Sequence, residues 1–239
     1  MDETDETDET RHDDRVWELL HLLFKPHPWH GVAIGPGAPE VVTVFVEIVP
    51  TDTVKYEIDK ASGHLKVDRP QMFSNVCPSL YGFVPQTYCG ERVAAFSQGH
   101  TGLLTLRGDG DPLDVCVLSE KAFSHGDILL QALPIGGLRL LDRDEADDKI
   151  VAVLKGDVAY GHFRDIGELP PALVERLKHY FLTYKRPPGA ADPVVELAGV
   201  YGRAEACEVI DRSREDYREL YPDLRERFFD ALNKPDWAE

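Results

Sequence analysis

The sequence lacks the cysteine spacings that indicate a disulfide framework or a zinc site. Its 239 residues include 4 cysteines, and no pair of them forms C-x-x-C or another zinc-ligand spacing. This pattern indicates reduced thiols. The four are Cys77, Cys89, Cys116 and Cys207.

Long apolar runs are also absent. No segment approaches the roughly 20 apolar residues that a membrane-spanning helix requires. The N-terminus, MDETDETDETRHDD, is acidic and has no basic region of the kind that begins a signal peptide. We therefore expect a cytoplasmic protein that makes no membrane contact.

Positive charge is scarce. The chain has 43 acidic and 26 basic residues, which gives a formal net charge of -17. This excess argues against broad nucleic-acid binding, because affinity for phosphate backbones comes from cations. An acidic protein can still act on a phosphate compound if divalent metal ions invert the sign of its site.

The chain divides into four predicted regions. Residues 1–13 repeat the triplet DET and contain only one apolar residue, the initial methionine, which predicts a disordered acidic arm. Residues 14–40 form an extension, with a helix over Val16–Phe24 followed by the loop HPWHG. Residues 41–225 carry the main domain, and residues 226–239 form a tail.

The middle of the chain predicts β-structure, because β-branched and alternating runs are separated by turn residues. The predicted strands are Val41–Val49, Val54–Ile58, Gly102–Leu106, Leu113–Leu118, Ile128–Leu133 and Ile150–Leu154. Turns are predicted at Ser62-Gly63, Asp109–Pro112 and Gly136-Gly137. Short strands with turns between them indicate a closed antiparallel barrel.

Helical periodicity returns near the end of the domain. One helix is predicted from Leu173 to Tyr184, before the break at Pro187–Gly189, and another from Arg203 to about Leu220. Because the strands precede the helices, we expect an α+β fold with helices packed outside the sheet.

The segment GDGDPLDV holds Asp109, Asp111 and Asp114 at a turn that leads into a strand. Carboxylates this close repel one another, and a hard cation such as Mg²⁺ would compensate them. The alternative is a turn with solvated acids. A second acidic segment, LDRDEADDK at Leu141–Lys149, also adjoins a strand. Two such segments on one small domain favour a multi-metal site for phosphoryl chemistry.

A phosphate site also needs cationic groups. In the strand Val54–Ile58, the two-residue period places Lys55 and Glu57 on one face. Arg69 and the pair Tyr184-Lys185 are further candidates, although each alone is an ordinary surface residue.

Taken in order, these segments resemble the soluble family I inorganic pyrophosphatases. DGDPLDV matches the signature D-x-D-P-x-D-V of that family. The other matching motifs lie in one collinear order between Val41 and Ile210, and they are FVEIVPTDTVKYEID, VDRP, YGFVPQT, DRDEADDKIVAV and HYFLTYK.

The resemblance implies a five-stranded, OB-like antiparallel β-barrel with flanking α-helices and a site in its mouth. The reaction would be cleavage of pyrophosphate to two phosphates, with several Mg²⁺ ions and with Asp111 activating the water between two of them. The matching metal-binding acids are Asp109, Asp114, Asp142, Asp147, Glu47 and Glu57. The groups that match the phosphoryl-binding residues are Lys55, Arg69, Tyr81, Lys149, Tyr184 and Lys185.

In the same comparison, Lys55, Arg69, Tyr184 and Lys185 would stabilise charge on the leaving phosphate. The family also implies a homo-oligomer, hexameric in bacteria and dimeric in eukaryotes.

Some features depart from the compact bacterial form of the family. Cys77 stands where a tyrosine is common, and Cys89–Gly108 is an insertion that could form a hairpin over the barrel mouth or at a subunit contact. In HPWHG, His27 and His30 are interpreted as packing residues, because Mg²⁺ prefers oxygen ligands.

Three other functions are compatible with parts of the pattern. A phosphohydrolase for nucleotides or polyphosphate would use the same metal site, but the sequence has no Walker loop. An oligonucleotide-binding barrel needs a basic groove with exposed aromatics, which the acidic composition disfavours. A structural calcium-binding barrel would explain the aspartates but not Lys55, Arg69 and Lys185.

Overall fold

The computed structural model describes residues 25–186, 189 and 194–222. The predicted acidic arm, the helix over Val16–Phe24 and the tail at 226–239 lie outside these residues. The described strands are β1 (Val42–Ile48), β2 (Val54–Ile58), β3 (Leu65–Pro70), β4 (Leu80–Phe83), β5 (Arg107–Gly108), β6 (Asp114–Leu118), β7 (Ile128–Asp142), β8 (Glu145–Ala146), β9 (Lys149–Leu154) and β10 (Val195–Gly202). The helices are α1 (Glu91–Thr101), α2 (Pro171–Thr183) and α3 (Arg203–Leu220), with a short 3₁₀ helix at Ile166–Glu168.

These elements form an α+β fold, as the order of strands and helices predicted. The main sheet has the strand order β1-β4-β6-β9-β7-β8-β5, and β10 pairs with β7. Strand β1 also pairs with β7, so the path of pairings from β1 through β9 to β7 returns to its start. Strands β2 and β3 form a separate two-stranded sheet.

The main sheet is mixed, and the prediction of wholly antiparallel pairing is wrong. Strand β6 pairs with β9 in parallel, and the short β5 pairs with β8 in parallel. The reason lies in the connection through β7, which runs antiparallel to β9. Because the chain reverses on entering β7 and again before β9, β6 and β9 point the same way.

Strand β7 is much longer than the predicted Ile128–Leu133. It continues to Asp142, so the predicted turn at Gly136-Gly137 lies inside the strand. These glycines allow close packing rather than a reversal of the chain. A Cβ on Gly137 would come within 2.3 Å of the Tyr201 ring, and one on Gly136 within 2.5 Å of the Tyr201 carbonyl oxygen.

The insertion Cys89–Gly108 contains a helix, not the predicted hairpin. Helix α1 occupies Glu91–Thr101, and Gly102 ends it in the left-handed conformation with φ 74°. The predicted strand Gly102–Leu106 is therefore wrong, because only Arg107–Gly108 pairs with a strand. In this insertion the buried residues Val93 and Ala94 belong to helix α1, whereas Leu103 and Leu104 of the predicted strand are exposed.

Helix α3 confirms its predicted boundaries and its predicted inner face. Its buried residues include Ala206, Val209, Ile210, Ser213 and Tyr217. Its apolar side chains Ala206, Val209 and Ile210 pack in one core cluster with residues of β1, which is buried along almost its whole length. No described helix is long and apolar enough to cross a membrane.

The loop HPWHG is a packing element, as interpreted from the sequence. Trp29 is 2% exposed, and its Nε1 donates a 2.7 Å hydrogen bond to the carbonyl of Thr87. His30 Nδ1 lies 2.8 Å from the Tyr217 hydroxyl, and burial lowers the pKa of His30 to about 4. Both contacts join the N-terminal extension to the main domain.

Helix α1 is capped by a residue of α3. Gly90, which precedes α1, has no side chain to cap it. Instead, the buried carboxylate of Asp216 accepts hydrogen bonds from the backbone amides of Gly90 (3.0 Å), Arg92 (3.1 Å) and Val93 (3.2 Å). The negative charge also lies at the positive end of the helix dipole.

We expect Asp216→Ala to lower the free energy of unfolding by about 1–3 kcal/mol, because it leaves buried amide donors without an acceptor. Asp216→Asn should lose less stability, since the side-chain oxygen of asparagine still accepts a hydrogen bond from these amides. Urea unfolding followed by circular dichroism measures both. The neighbouring exposed residue provides the control: Glu215→Ala should change stability by no more than about 0.5 kcal/mol. Equal losses in the two alanine variants would contradict the capping role.

Candidate active site

The signature segment forms a turn between β5 and β6. Gly110 adopts φ 74°, a conformation that glycine reaches without strain. The backbone amide of Asp111 donates a 2.9 Å hydrogen bond to Asp109 Oδ1, which tightens the turn. Asp114 follows as the first residue of β6.

Three adjacent strands bring Asp114 to a buried lysine. Tyr81 in β4 donates a 2.6 Å hydrogen bond from its hydroxyl to Asp114 Oδ2. In the parallel pairing of β6 and β9, Asp114 lies opposite Lys149. The Lys149 ammonium contacts the carboxylates of both Asp114 and Asp147. The site is therefore fixed by strand register, not by a flexible loop.

The buried acids of this cluster and Lys149 shift one another's pKa values. Burial raises the pKa of Asp109, and the neighbouring Asp147 raises it further. Burial also raises the pKa of Asp114, although Lys149 opposes this. Burial alone would raise the pKa of Asp147 as well, but the positive charge of Lys149 opposes it and the pKa is lowered. Burial disfavours the charged form of Lys149, but Asp114 and Asp147 hold its pKa well above the usual value.

Strands β1 and β2 supply a second group of acids beside the first. Glu47 is buried and accepts a 2.7 Å hydrogen bond from the Ile58 amide. Burial, followed by the charge of Asp114, raises its pKa to about 8. Lys55 donates to Glu57 at 3.2 Å, which confirms that these residues share a face of β2.

The remaining candidates lie around the C-terminal end of α2. Tyr184 follows that helix and is buried. The guanidinium carbon of Arg69 lies 5.8 Å from the centre of the Tyr184 ring. Lys185 Nζ donates a 2.6 Å hydrogen bond to Asp142 Oδ2, at the end of β7. Burial disfavours the charged form of Lys185, but Tyr184 and Asp142 raise its pKa.

The structure places part of the predicted set around one cavity. A cavity of about 500 Å³ is lined by Glu47, Lys55, Glu57, Tyr81, Asp111 and Asp114, among others. Asp142 and Lys185 line a different, smaller cavity of about 270 Å³. Arg69, Asp109, Asp147, Lys149 and Tyr184 line neither, although Lys149 contacts Asp114 at the larger cavity.

Sequence reasoning missed charged residues in and beside this cavity, of which Lys60 and Asp68 contact candidate site residues. The Lys60 ammonium contacts the Asp111 carboxylate from the turn between β2 and β3. Asp68 accepts hydrogen bonds from Lys55 at 2.7 Å and from Arg69 at 2.5 Å, so it aligns both cations. The position of Asp68 beside Arg69 in VDRP was a usable signal, whereas nothing local to Lys60 indicated its partner.

Within residues 25–186, 189 and 194–222, no group of three or more His, Cys, Asp or Glu side chains is arranged as a formed metal site. Several of the candidate acids form ion pairs with lysine residues. Lys149 contacts Asp114 and Asp147, Lys60 contacts Asp111, and Lys185 binds Asp142. The carboxylates therefore turn toward lysine ammonium groups. All four cysteines are free, as predicted, and Cys77 is buried beside Ser79.

Comparison with known proteins identifies the family. The family model described as inorganic pyrophosphatase matches residues 44–218. The inorganic pyrophosphatase of Chlamydia trachomatis is 50% identical over 199 residues, which cover 82% of this chain and 95% of the relative. The soluble inorganic pyrophosphatase of Oryza sativa is 43% identical over 160 residues, 67% of this chain and 66% of the relative.

A solved structure agrees with the sequence relatives. The inorganic pyrophosphatase from Thermus thermophilus superposes with a TM-score of 0.65 at 29% identity, covering 78% of this chain and 97% of the other. The family match spans β1 to α3 and contains every candidate site residue. The chain therefore belongs to the inorganic pyrophosphatase family.

Proposed function

We propose that the cluster around Asp111, Asp114 and Lys149 is where this chain performs the reaction of its family. That reaction is the hydrolysis of pyrophosphate to two phosphates, and the family's members are metalloenzymes. One observation carries the assignment to this place: acids and cations from β1, β2 and β6 line one cavity together with Tyr81 of β4, and Lys149 of β9 contacts Asp114 there.

The donor set fits hard divalent cations. The candidate ligands are all carboxylates, which Mg²⁺ prefers over nitrogen or sulfur. Burial and repulsion from neighbouring carboxylates raise the pKa of Asp109 and of Glu47. A bound cation would therefore stabilise the charged form of these acids. We assign metal binding to Asp109, Asp114, Asp142, Asp147, Glu47 and Glu57. When bound, Mg²⁺ ions would supply a water of lowered pKa and positive charge for the phosphoryl oxygens.

We assign proton transfer and phosphoryl binding to side chains of the protein. Asp111 lies at the cavity in a turn held by its own amide, and it accepts the proton of the attacking water. Lys55 and Arg69, aligned by Asp68, hold phosphoryl oxygens from one side. Lys149, Tyr184, Lys185 and Tyr81 hold further phosphoryl oxygens, and the Tyr81 hydroxyl also donates a hydrogen bond to Asp114. These fixed charges stabilise the charge that develops on the leaving phosphate.

We further propose that strands β1, β4, β6, β9 and β7 form an OB-like barrel whose mouth holds the site. The path of pairings that returns from β7 to β1 supports it. Family membership favours a homo-oligomer and a cytoplasmic location, and the relatives from rice are named as soluble enzymes. Neither nucleic acid nor a membrane is a proposed partner.

The first experiment measures phosphate release from pyrophosphate with Mg²⁺, and repeats the assay with EDTA and with ATP as the substrate. We expect rapid release from pyrophosphate, loss of activity with EDTA, and weak release from ATP. Release from ATP but not from pyrophosphate would keep the metal site and overturn the substrate. A folded protein that binds Mg²⁺ without releasing phosphate from either compound would overturn the proposed function.

A further inference from the structure

A second charged cluster lies beneath the site, on the reverse side of the segment that carries Asp147 and Lys149. It consists of Arg139 in β7, Asp148 between β8 and β9, and Glu205 in α3. Arg139 is 4% exposed and Asp148 is 2% exposed. No role proposed above uses these residues. A charge pair this deeply buried costs desolvation free energy, so its retention calls for a reason.

Strand geometry explains why the two clusters share one segment. In an extended chain, neighbouring side chains point to opposite sides. Lys149 lies opposite Leu138 in the pairing of β9 with β7, so Asp148 and Arg139 point to the other side. The backbone amide of Asp147 also donates a 3.0 Å hydrogen bond to the carbonyl of Leu140. A rotation of this segment would therefore move Asp147 and Lys149 together with Asp148.

Arg139 is held from several directions. Its Nη2 lies 2.8 Å from Glu205 Oε1, and its Nε lies 3.6 Å from Asp148 Oδ1. Its guanidinium carbon lies 5.5 Å from the centre of the Phe96 ring and 5.0 Å from that of Tyr201. Helix α1, strand β10 and helix α3 thus fix the guanidinium. Helix α1 belongs to the insertion that departs from the compact form of the family.

The buried Asp148 carboxylate depends on the position of the Arg139 guanidinium for its charge compensation. Among the described residues, neither of its carboxylate oxygens has a hydrogen-bond partner, although both are buried. The charge of Arg139 is therefore the main compensation for the Asp148 carboxylate. Without it, the buried Asp148 carboxylate would lose its main countercharge, and a shift of residues 147–149 that brings it toward water would become favourable.

We propose that Arg139 is a positioning residue for the hydrolytic site. By holding Asp148 on the reverse side, it fixes the direction in which Asp147 and Lys149 point into the site. The inference rests on the roles proposed above for Asp147 and Lys149. It also gives the inserted helix α1 a part in supporting the site.

The test compares steady-state kinetics of Arg139→Met, Asp148→Asn and the double variant, at a temperature where circular dichroism shows each to be folded. A displaced active-site group can cost up to about 100-fold in rate. We expect Arg139→Met to lower kcat at least about tenfold, with a smaller change in KM. Asp148→Asn should lower kcat less than Arg139→Met does, because Arg139 keeps Glu205 as a partner. The double variant should recover most of the lost kcat, since a neutral amide in place of the Asp148 carboxylate needs no cation.

Arg212→Met is the matched control. The Arg212 guanidinium also lies over the Phe96 ring, at 4.5 Å, but it pairs with Glu208 on the helix surface. We expect it to leave kcat unchanged. Wild-type kcat in folded Arg139→Met, or equal losses in Arg139→Met and Arg212→Met, would overturn the proposal. So would a double variant no more active than Arg139→Met.

Two further measurements cover the other outcomes. If Arg139→Met does not fold, the double variant decides: kcat near that of Asp148→Asn supports the proposal, and kcat at least about tenfold lower overturns it. Asp147→Asn tests the underlying role. Full turnover in Asp147→Asn would overturn the proposed role of Asp147 in the site, and this inference with it. Loss of turnover there, with normal Arg139→Met, would overturn this inference alone.

Discussion

An Asp111→Asn variant is expected to lose about 10²–10⁴-fold in kcat, the range that general-base catalysis contributes. Asparagine has the same shape and can accept a hydrogen bond, but it cannot take a proton from the attacking water. The turn should persist, because the Asp111 backbone amide, not its side chain, binds Asp109. Binding of Mg²⁺, measured by calorimetry, should therefore fall much less than turnover.

A matched control separates the proton-transfer role from the loss of an exposed ion pair. The Asp127 side chain is 48% exposed and contacts Lys25, as the Asp111 side chain is 47% exposed and contacts Lys60. Asp127 does not line the cavity. Asp127→Asn should retain wild-type kcat. If Asp111→Asn turns over as fast as Asp127→Asn, Asp111 is not the base.

The parts of the fold that could be predicted are those whose local pattern matches their environment. The apolar run of β1 is buried, and the alternating residues of β2 form a strand with Lys55 and Glu57 side by side. Helix α3 has a regular apolar stripe, and its boundaries matched. In each case the local pattern was sufficient: a β-branched run for β1, alternation for β2 and a helical period for α3.

The errors arose where distant residues decide the local structure. Gly136-Gly137 has the composition of a turn, but these glycines make room for Tyr201 of β10. The pairing of β6 with β9 is parallel because of the path of β7, which no local pattern reveals. Strand β10 went unassigned, and it depends on pairing along β7, with a register shift between Leu197 and Gly199.

In the candidate site, too, residues within local motifs could be predicted and residues paired with distant partners could not. The candidate site residues were named from motifs that match the family in the same order along the chain. The structure brings most of these residues into contact with one another. Lys60, Arg139 and Glu205 were missed because the ion pairs of Lys60 with Asp111 and of Arg139 with Glu205 join residues that are far apart in sequence. The ion pair of Arg139 with Glu205, for example, joins β7 to a helix at the other end of the domain.

A Lys149→Met variant is expected to lose about 3–5 kcal/mol in the free energy of unfolding without divalent cations, the usual cost of removing one partner from a buried ion pair. Lys149 is 2% exposed and contacts Asp114 and Asp147. Its removal leaves both carboxylates beside Asp109 without their shared buried cation. Methionine has a similar length and volume, so the loss reports the charge more than the packing.

The same argument predicts a changed response to Mg²⁺. If the carboxylates bind this ion, added Mg²⁺ should stabilise Lys149→Met more than the wild type, because the variant has the larger uncompensated charge. NaCl at matched ionic strength controls for screening. Turnover should stay low, since a group that we propose to hold phosphoryl oxygens is gone. Lys155→Met provides the matched variant: Lys155 follows the same strand, is exposed, and its ammonium donates to the neutral side chain of Gln131. Equal stability of the two variants, or equal stabilisation of Lys149→Met and the wild type by Mg²⁺, would contradict the proposed carboxylate site.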